Sequence, residues 1–97
     1  MRDVCLALLR AEETNLRRAG ILHLGIFGSV ARGEVCKDSD VDVLIELDPA
    51  AKIDLVDFIR LKNHLTQLLR LDVDLVSRRG LRAERHQNIL DETIYAF

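Results

Sequence analysis

Phe27–Val43 reads FGSVARGEVCKDSDVDV, and this stretch decides how the rest of the chain is organised. The residues leading into it, ILHLGIF at 21–27, predict a buried strand that breaks at Gly28 into about one helical turn over Ser29–Gly33. The residues that close it and follow, DVDVLIEL at 40–47, predict a second strand ended by Asp48-Pro49. Residues i and i+2 of a strand share a face, so Asp40 and Asp42 project side by side. Two such carboxylates repel, and in water-poor surroundings one takes up a proton. A divalent cation removes the conflict, and oxygen ligands suit a hard ion such as Mg²⁺, with substrate phosphates completing its shell. Gly28 lets the backbone approach a ligand closely. Ser29 places a hydroxyl where free N–H groups and the helix dipole favour an anion. One stretch thus pairs a phosphate cradle with a metal-binding strand, a pairing that suits nucleotide chemistry.

Each half alone has a plainer explanation. Gly-Ser between strand and helix is common punctuation, and a D-x-D pair is often a solvated strand face. Two other motifs are excluded. A phosphate-binding P-loop needs Lys and then Ser or Thr after its second glycine, whereas Glu34 and Val35 follow Gly33. An EF-hand starting at Asp38 needs Gly sixth and Glu twelfth, where this chain has Val43 and Pro49.

The remaining elements alternate in kind. Residues 2–18 predict a helix with Cys5, Leu8, Leu9, Glu12, Leu16 and Ala19 on one side, stopped at Gly20. Its residues Arg10, Glu13, Asn15, Arg17 and Arg18 are most simply a solvated face. His23 in the first strand reads as hydrogen-bonded scaffolding, and Gly25 signals close backbone packing or a bulge. Arg32 reaches a phosphate or pairs with a nearby acid; Glu34 orients Arg32 or sits near the metal site. Glu34–Ser39 is a loop in which Ser39 fixes the start of the Asp-bearing strand. Residues 53–69 predict the longest helix, with Leu55, Phe58, Ile59, Lys62, Leu65, Leu68 and Leu69 as its core stripe and Leu61 widening it. LDVDLV at 71–76 predicts a third strand with Asp72 and Asp74 on one face. Residues 81–95 look helical. The basic cluster Arg78, Arg79, Arg82 and Arg85 is most simply a solvated helix end, with a triphosphate or acidic partner as the sharper reading.

The 97 residues are enough for one domain, 1–97, and not two. A hydrophobic content of 48% supports a packed core, but a small domain buries a lower fraction of its surface, so a homo- or hetero-oligomer would help it. A net charge of −2 argues against an extended nucleic-acid surface. Two cysteines, Cys5 and Cys36, and an apolar VCLALL run too short for a signal or a span point to a cytoplasmic protein that does not contact a membrane.

Gly28-Ser29, ten residues, then Asp40-x-Asp42, set within ARGE and SD, closely resembles the minimal nucleotidyltransferases (MNT-domain proteins) of the DNA polymerase β-like superfamily. The resemblance covers nearly the whole chain. It implies a nucleotidyltransferase fold: a small mixed α/β (α+β) sheet of about three main strands packed with helices, in the order α-β-α-β-α-β-α. It assigns the third carboxylate to Asp74 rather than Asp72. It implies Asp40, Asp42 and Asp74 as catalytic residues holding two Mg²⁺ ions, and Gly28 and Ser29 on the β- and γ-phosphates of ATP, with Arg32 and Ser39 as further nucleotide contacts. A hydroxyl would then attack the α-phosphate of the nucleoside triphosphate. Many short relatives are antitoxins paired with a HEPN-domain toxin, and some transfer AMP to a tyrosine of that toxin, so the implied acceptor is a toxin tyrosine and the implied product its AMP ester. The alternatives are a stand-alone transferase for a small, aminoglycoside-like hydroxyl compound, and a non-catalytic antitoxin that masks its toxin.

Overall fold

The computed structural model describes residues 2–34, 40–81 and 83–97, with residues 83–86 described by their backbone. Helices α1 (Arg2–Ala11) and α2 (Glu13–Arg18) precede β1 (Ile21–Phe27) and the short α3 (Gly28–Ala31). Strand β2 (Val41–Leu47), helix α4 (Leu55–Leu69) and strand β3 (Val73–Ser77) follow; a 3₁₀ turn at Arg78–Gly80, α5 (Ala83–Glu92) and β4 (Ile94–Tyr95) close the order. The sheet runs β3-β2-β1-β4. β1 pairs antiparallel with β2 and β4, while β2 and β3 are parallel. The expected mixed α/β sheet forms, with a fourth strand added to the three expected.

Alternation explains why the sheet has two different faces. Val41, Val43 and Ile45 are fully buried against a core that includes Leu9 of α1, Leu24 and Ile26 of β1, and Leu65 of α4. On the opposite face Phe27 and Leu44 pack with Ile89 of α5, flanked by Val76, Leu81 and Leu90. Helix α4 makes the crossover that a parallel β2–β3 pair requires. It starts at a capping box: Asp57 N–H donates to Asp54 Oδ1 at 2.8 Å, and Asp54 N–H donates back to Asp57 Oδ2 at 3.3 Å. It ends where Arg70 turns left-handed at φ 58°.

Four expectations are corrected. The helix expected over 2–18 breaks at Glu12 into α1 and α2. The helix expected over 81–95 stops at Glu92, because the last residues pair with β1 instead. Gly25 makes that pairing possible, since a Cβ there would lie 2.6 Å from Thr93 Cγ2 and 2.9 Å from the Ile94 carbonyl oxygen. The supposed solvated face of the N-terminal helices is partly structural: Arg10 Nε donates to the Ala96 carbonyl at 3.1 Å, and Arg17 Nη1 to that of Leu22 at 2.8 Å. His23 is exposed and meets Tyr95 edge-on, with ring centroids 6.3 Å apart.

The stripe expected along α4 is only partly core. Leu65 and Leu69 are buried and Phe58, Leu61 and Leu68 pack against the core, but Leu55 and Ile59 are 73% and 48% exposed. Leu65→Ala should therefore cost about 2–5 kcal/mol in urea unfolding, while Leu55→Ala stays within about 0.5 kcal/mol of the parent.

Candidate active site

The register of the sheet assembles the site. Asp42 of β2 is the Cα partner of Asp74 on one side and of Phe27 on the other. Laterally paired residues point to the same face, so both carboxylates emerge where β1 ends and β3 begins. Further along this face the apolar contacts of Phe27 and Leu44 with α5 take over, which separates the carboxylate pair from Glu46 at the other end of β2. Asp40 stands just before β2, exposed. Asp72 also precedes its strand, where its carbonyl accepts from Val41 N–H at 2.8 Å; its strand neighbour Asp74 is the one in register with Asp42.

Gly28 is required by this geometry twice over. Its φ is +72°, a region that side chains disfavour, and a Cβ there would overlap Asp42 Oδ2 and lie 3.1 Å from Asp42 Cγ. Gly28 and the half-buried Ser29 open α3, where early N–H groups have no intrahelical acceptor. The Ser29 carbonyl accepts from Glu34 N–H at 2.9 Å, closing the turn.

Burial pushes the Asp42 carboxyl above its usual range, and the charges of Asp74, Asp40 and Glu92 push it further; Arg32 acts the other way. Glu92, at the end of α5, was not singled out in the sequence. It pairs with Arg32, whose Nε also donates to Glu34 Oε1 at 3.3 Å. The Glu34 hydrogen bond, with the charges of Glu34 and Glu92, holds the Arg32 guanidinium more firmly protonated than usual. Of the two uses read for Arg32, the acid pair is the one seen. In the basic cluster, Arg78 pairs with Glu46 at 3.3 Å and Arg79 is exposed. Ser39, Cys36, Lys37, Asp38 and Arg82, and the side chain of Arg85, lie outside what the structure describes.

Among the described residues, no three His, Cys, Asp or Glu side chains are arranged to enclose a metal ion. The open end formed by Asp42, Asp74 and Asp40 nonetheless fits a hard cation. It offers oxygen ligands whose mutual repulsion Arg32 offsets only in part, the donor chemistry that a hard cation takes. A separate groove of about 520 Å³ lies away from these carboxylates, between α2 and the first half of α4.

A mixed sheet with paired carboxylates at its end, beside a Gly-Ser turn, has the form of a nucleotidyltransferase. The nucleotidyltransferase domain model matches residues 9–96. Protein adenylyltransferase MntA of Thermococcus cleftensis is 39% identical over 90 residues, which cover 92% of this chain and 89% of that protein. A solved structure assigned as a minimal nucleotidyltransferase superposes with a TM-score of 0.76 at 40% identity, covering 92% of this chain and 93% of that one. A chain from a complex of an MNT antitoxin with a tri-AMPylated HEPN toxin of Shewanella oneidensis matches with a TM-score of 0.67, over 100% of this chain and 72% of that one; at 20% identity it shows a shared fold. The chain belongs to the nucleotidyltransferase domain family, and it is a minimal nucleotidyltransferase enzyme.

Because the raised Asp42 carboxyl favours its protonated form in the fold, its ionised form destabilises the metal-free protein. That penalty is full above the folded pKa and is relieved as pH falls from there towards the ordinary aspartate value. Asp42→Asn should raise the metal-free Tm at pH 7 by a few degrees, about what a fraction of a kcal/mol gives in a domain of this size. The gain should shrink as the pH of the thermal scan is lowered through that window.

Proposed function

We propose that this protein transfers AMP from ATP to a protein hydroxyl, a tyrosine of a cognate HEPN-domain toxin, and thereby acts as an antitoxin. The single observation carrying this reading is the lateral pairing of Asp42 with Asp74 against a Gly28 that has no room for a side chain. The similarity to a relative named protein adenylyltransferase supports a protein acceptor. The fold shared with a chain from an MNT antitoxin–HEPN toxin complex, whose toxin is tri-AMPylated, supports the partner. The domain would span 1–97 and work in the cytoplasm; no described helix is long and apolar enough to cross a membrane.

In this reading Asp40, Asp42 and Asp74 hold two Mg²⁺ ions. Such ions supply charge neutralisation at the attacking and leaving oxygens when bound. Gly28 and Ser29 present backbone N–H groups and a hydroxyl to the β- and γ-phosphates, and Ser39 adds a contact. Arg32 exchanges its acid partners for a phosphate oxygen. Asp74 accepts the proton of the attacking hydroxyl. A new P–O bond forms to the α-phosphorus, the bond to the β-phosphate oxygen breaks, and pyrophosphate leaves. The chain contributes placement and fixed charge rather than covalent chemistry.

Intact-mass spectrometry of the HEPN toxin after incubation with this protein, ATP and Mg²⁺ tests the reading. One or more added AMP groups are expected, with the rate reduced roughly 10²–10³-fold or more by Asp42→Asn. A stable complex without added mass would replace transfer by masking, and neither complex nor mass would point to a small-molecule acceptor. Arg32→Ala should raise the KM for ATP about ten- to a hundredfold with a smaller change in kcat, as expected for loss of a charge-assisted phosphate contact.

A further inference from the structure

The first half of α4 exposes three large apolar side chains together: Leu55 at 73%, Val56 at 55% and Ile59 at 48%. Helical geometry places them with Asn63, Thr66 and Gln67 on an arc of about 120° of the outward surface. That arc holds no charge, in a chain whose residues are 31% charged. Beside it opens the groove of about 520 Å³, floored by Leu16, Ile53 and Leu61 and edged by Lys52, Asp57, Arg60 and His64. Arg60, one helical turn after Val56, lines the groove, so ridge and groove adjoin there.

The rim decides what fits. Lys62 flanks the uncharged arc on one side and Arg60 on the other, with Lys52 before it. None of the three takes part in an ion pair among the described residues. The nearby acids Asp54 and Asp57 are tied to the backbone by the capping box. A second copy of this chain is a poor occupant. Two-fold pairing of α4 on itself sets a cationic flank against a cationic flank whether the helices run parallel or antiparallel. Exposed apolar surface rimmed by polar groups marks an interaction site, and opposite charge selects its partner.

We propose that the Leu55–Val56–Ile59 face of α4, with the adjoining groove, docks a partner helix that carries apolar anchors flanked by Asp or Glu. One anchor enters the groove while the acids meet Lys52, Arg60 and Lys62. Helix α4 runs from the far end of the sheet back to Val73, so its first half lies at the opposite end from Asp42 and Asp74. Docking and transfer thus use separate surfaces of one small domain. Identifying this partner with the HEPN-domain toxin rests on the function proposed above.

The test is calorimetric titration of the purified HEPN toxin with the full chain and with Ile59→Glu, Leu55→Glu, Arg60→Glu and Asp42→Asn, alongside thermal melts and intact-mass assays. Ile59→Glu and Leu55→Glu should each weaken the Kd at least about tenfold with Tm preserved, and Arg60→Glu should weaken it and flatten its salt dependence. Asp42→Asn should bind like the parent. A parent-like Kd for both Ile59→Glu and Leu55→Glu overturns the proposal. So does a parent chain that dimerises by sedimentation and is made monomeric by Ile59→Glu, or a parent that forms no complex with the toxin. The two readings fail apart. Complex formation sensitive to Ile59→Glu but without added AMP keeps the surface and removes the transfer reading. AMP addition by Ile59→Glu at the parental KM keeps transfer and removes the surface.

Discussion

Asp42 occupies the space that a side chain at position 28 would fill, and the site is built around that exclusion. Gly28 can turn left-handed at φ +72° and has no Cβ to collide with the carboxylate, so the end of β1 closes directly over β2. The same closeness half-buries Asp42 and places it beside Asp74, which raises its carboxyl. The interaction that defines the site is therefore unfavourable in the protein alone. It persists because the strands beneath it are fixed by a core in which Val41, Val43 and Ile45 are fully buried. A one-residue slip of β2 would bury Asp42 and expose that core, so the register that keeps the protein folded also keeps the carboxylates together.

The second constraint is the return of the chain's end. Pairing of Ile94–Tyr95 with β1, held by Arg10 on the Ala96 carbonyl, fixes where α5 stops. Glu92 then lies next to Arg32, and the guanidinium sits between Glu34 and Glu92 at the edge of the carboxylate cluster. A cation so held is already close to Asp42, whose charge it offsets in part. The ion pairs are largely solvent-exposed, so they set position more than they add stability. A ligand with a stronger anion could take their place at small energetic cost.

Much of this was legible in the sequence because it depends on local period. Alternation alone places Asp40 with Asp42 and puts Val41, Val43 and Ile45 on the other face. Gly28 before Ser29 marks the strand-to-helix turn. What the sequence hid depends on tertiary pairing. Glu92 reads as an ordinary helix-end acid until β4 brings it to Arg32. Ile94–Tyr95 reads as part of the preceding helix, because a two-residue strand leaves no alternation to detect. Arg10 and Arg17 look solvated on a helical projection, yet both reach carbonyls outside their helices. On α4, period fits Leu55 and Ile59 into the same stripe as Leu65 and Leu69; only the extent of the sheet beneath determines that the stripe outruns the core.

That last mismatch bears on how so small a domain divides its tasks. Leu55, Val56 and Ile59 make a limited contribution to the fold, since they remain largely in water, and polar residues there would leave the core unchanged. Asp42 likewise opposes folding in the metal-free chain. The two features sit at opposite ends of the sheet, joined by α4, and both lower the stability or solubility of the isolated protein. In the proposed reading each would be relieved by a different ligand: a divalent cation at one end, the apolar surface of a partner at the other. A chain of 97 residues has little stability to spare, so carrying both costs is most readily understood if both ends are occupied when the protein works.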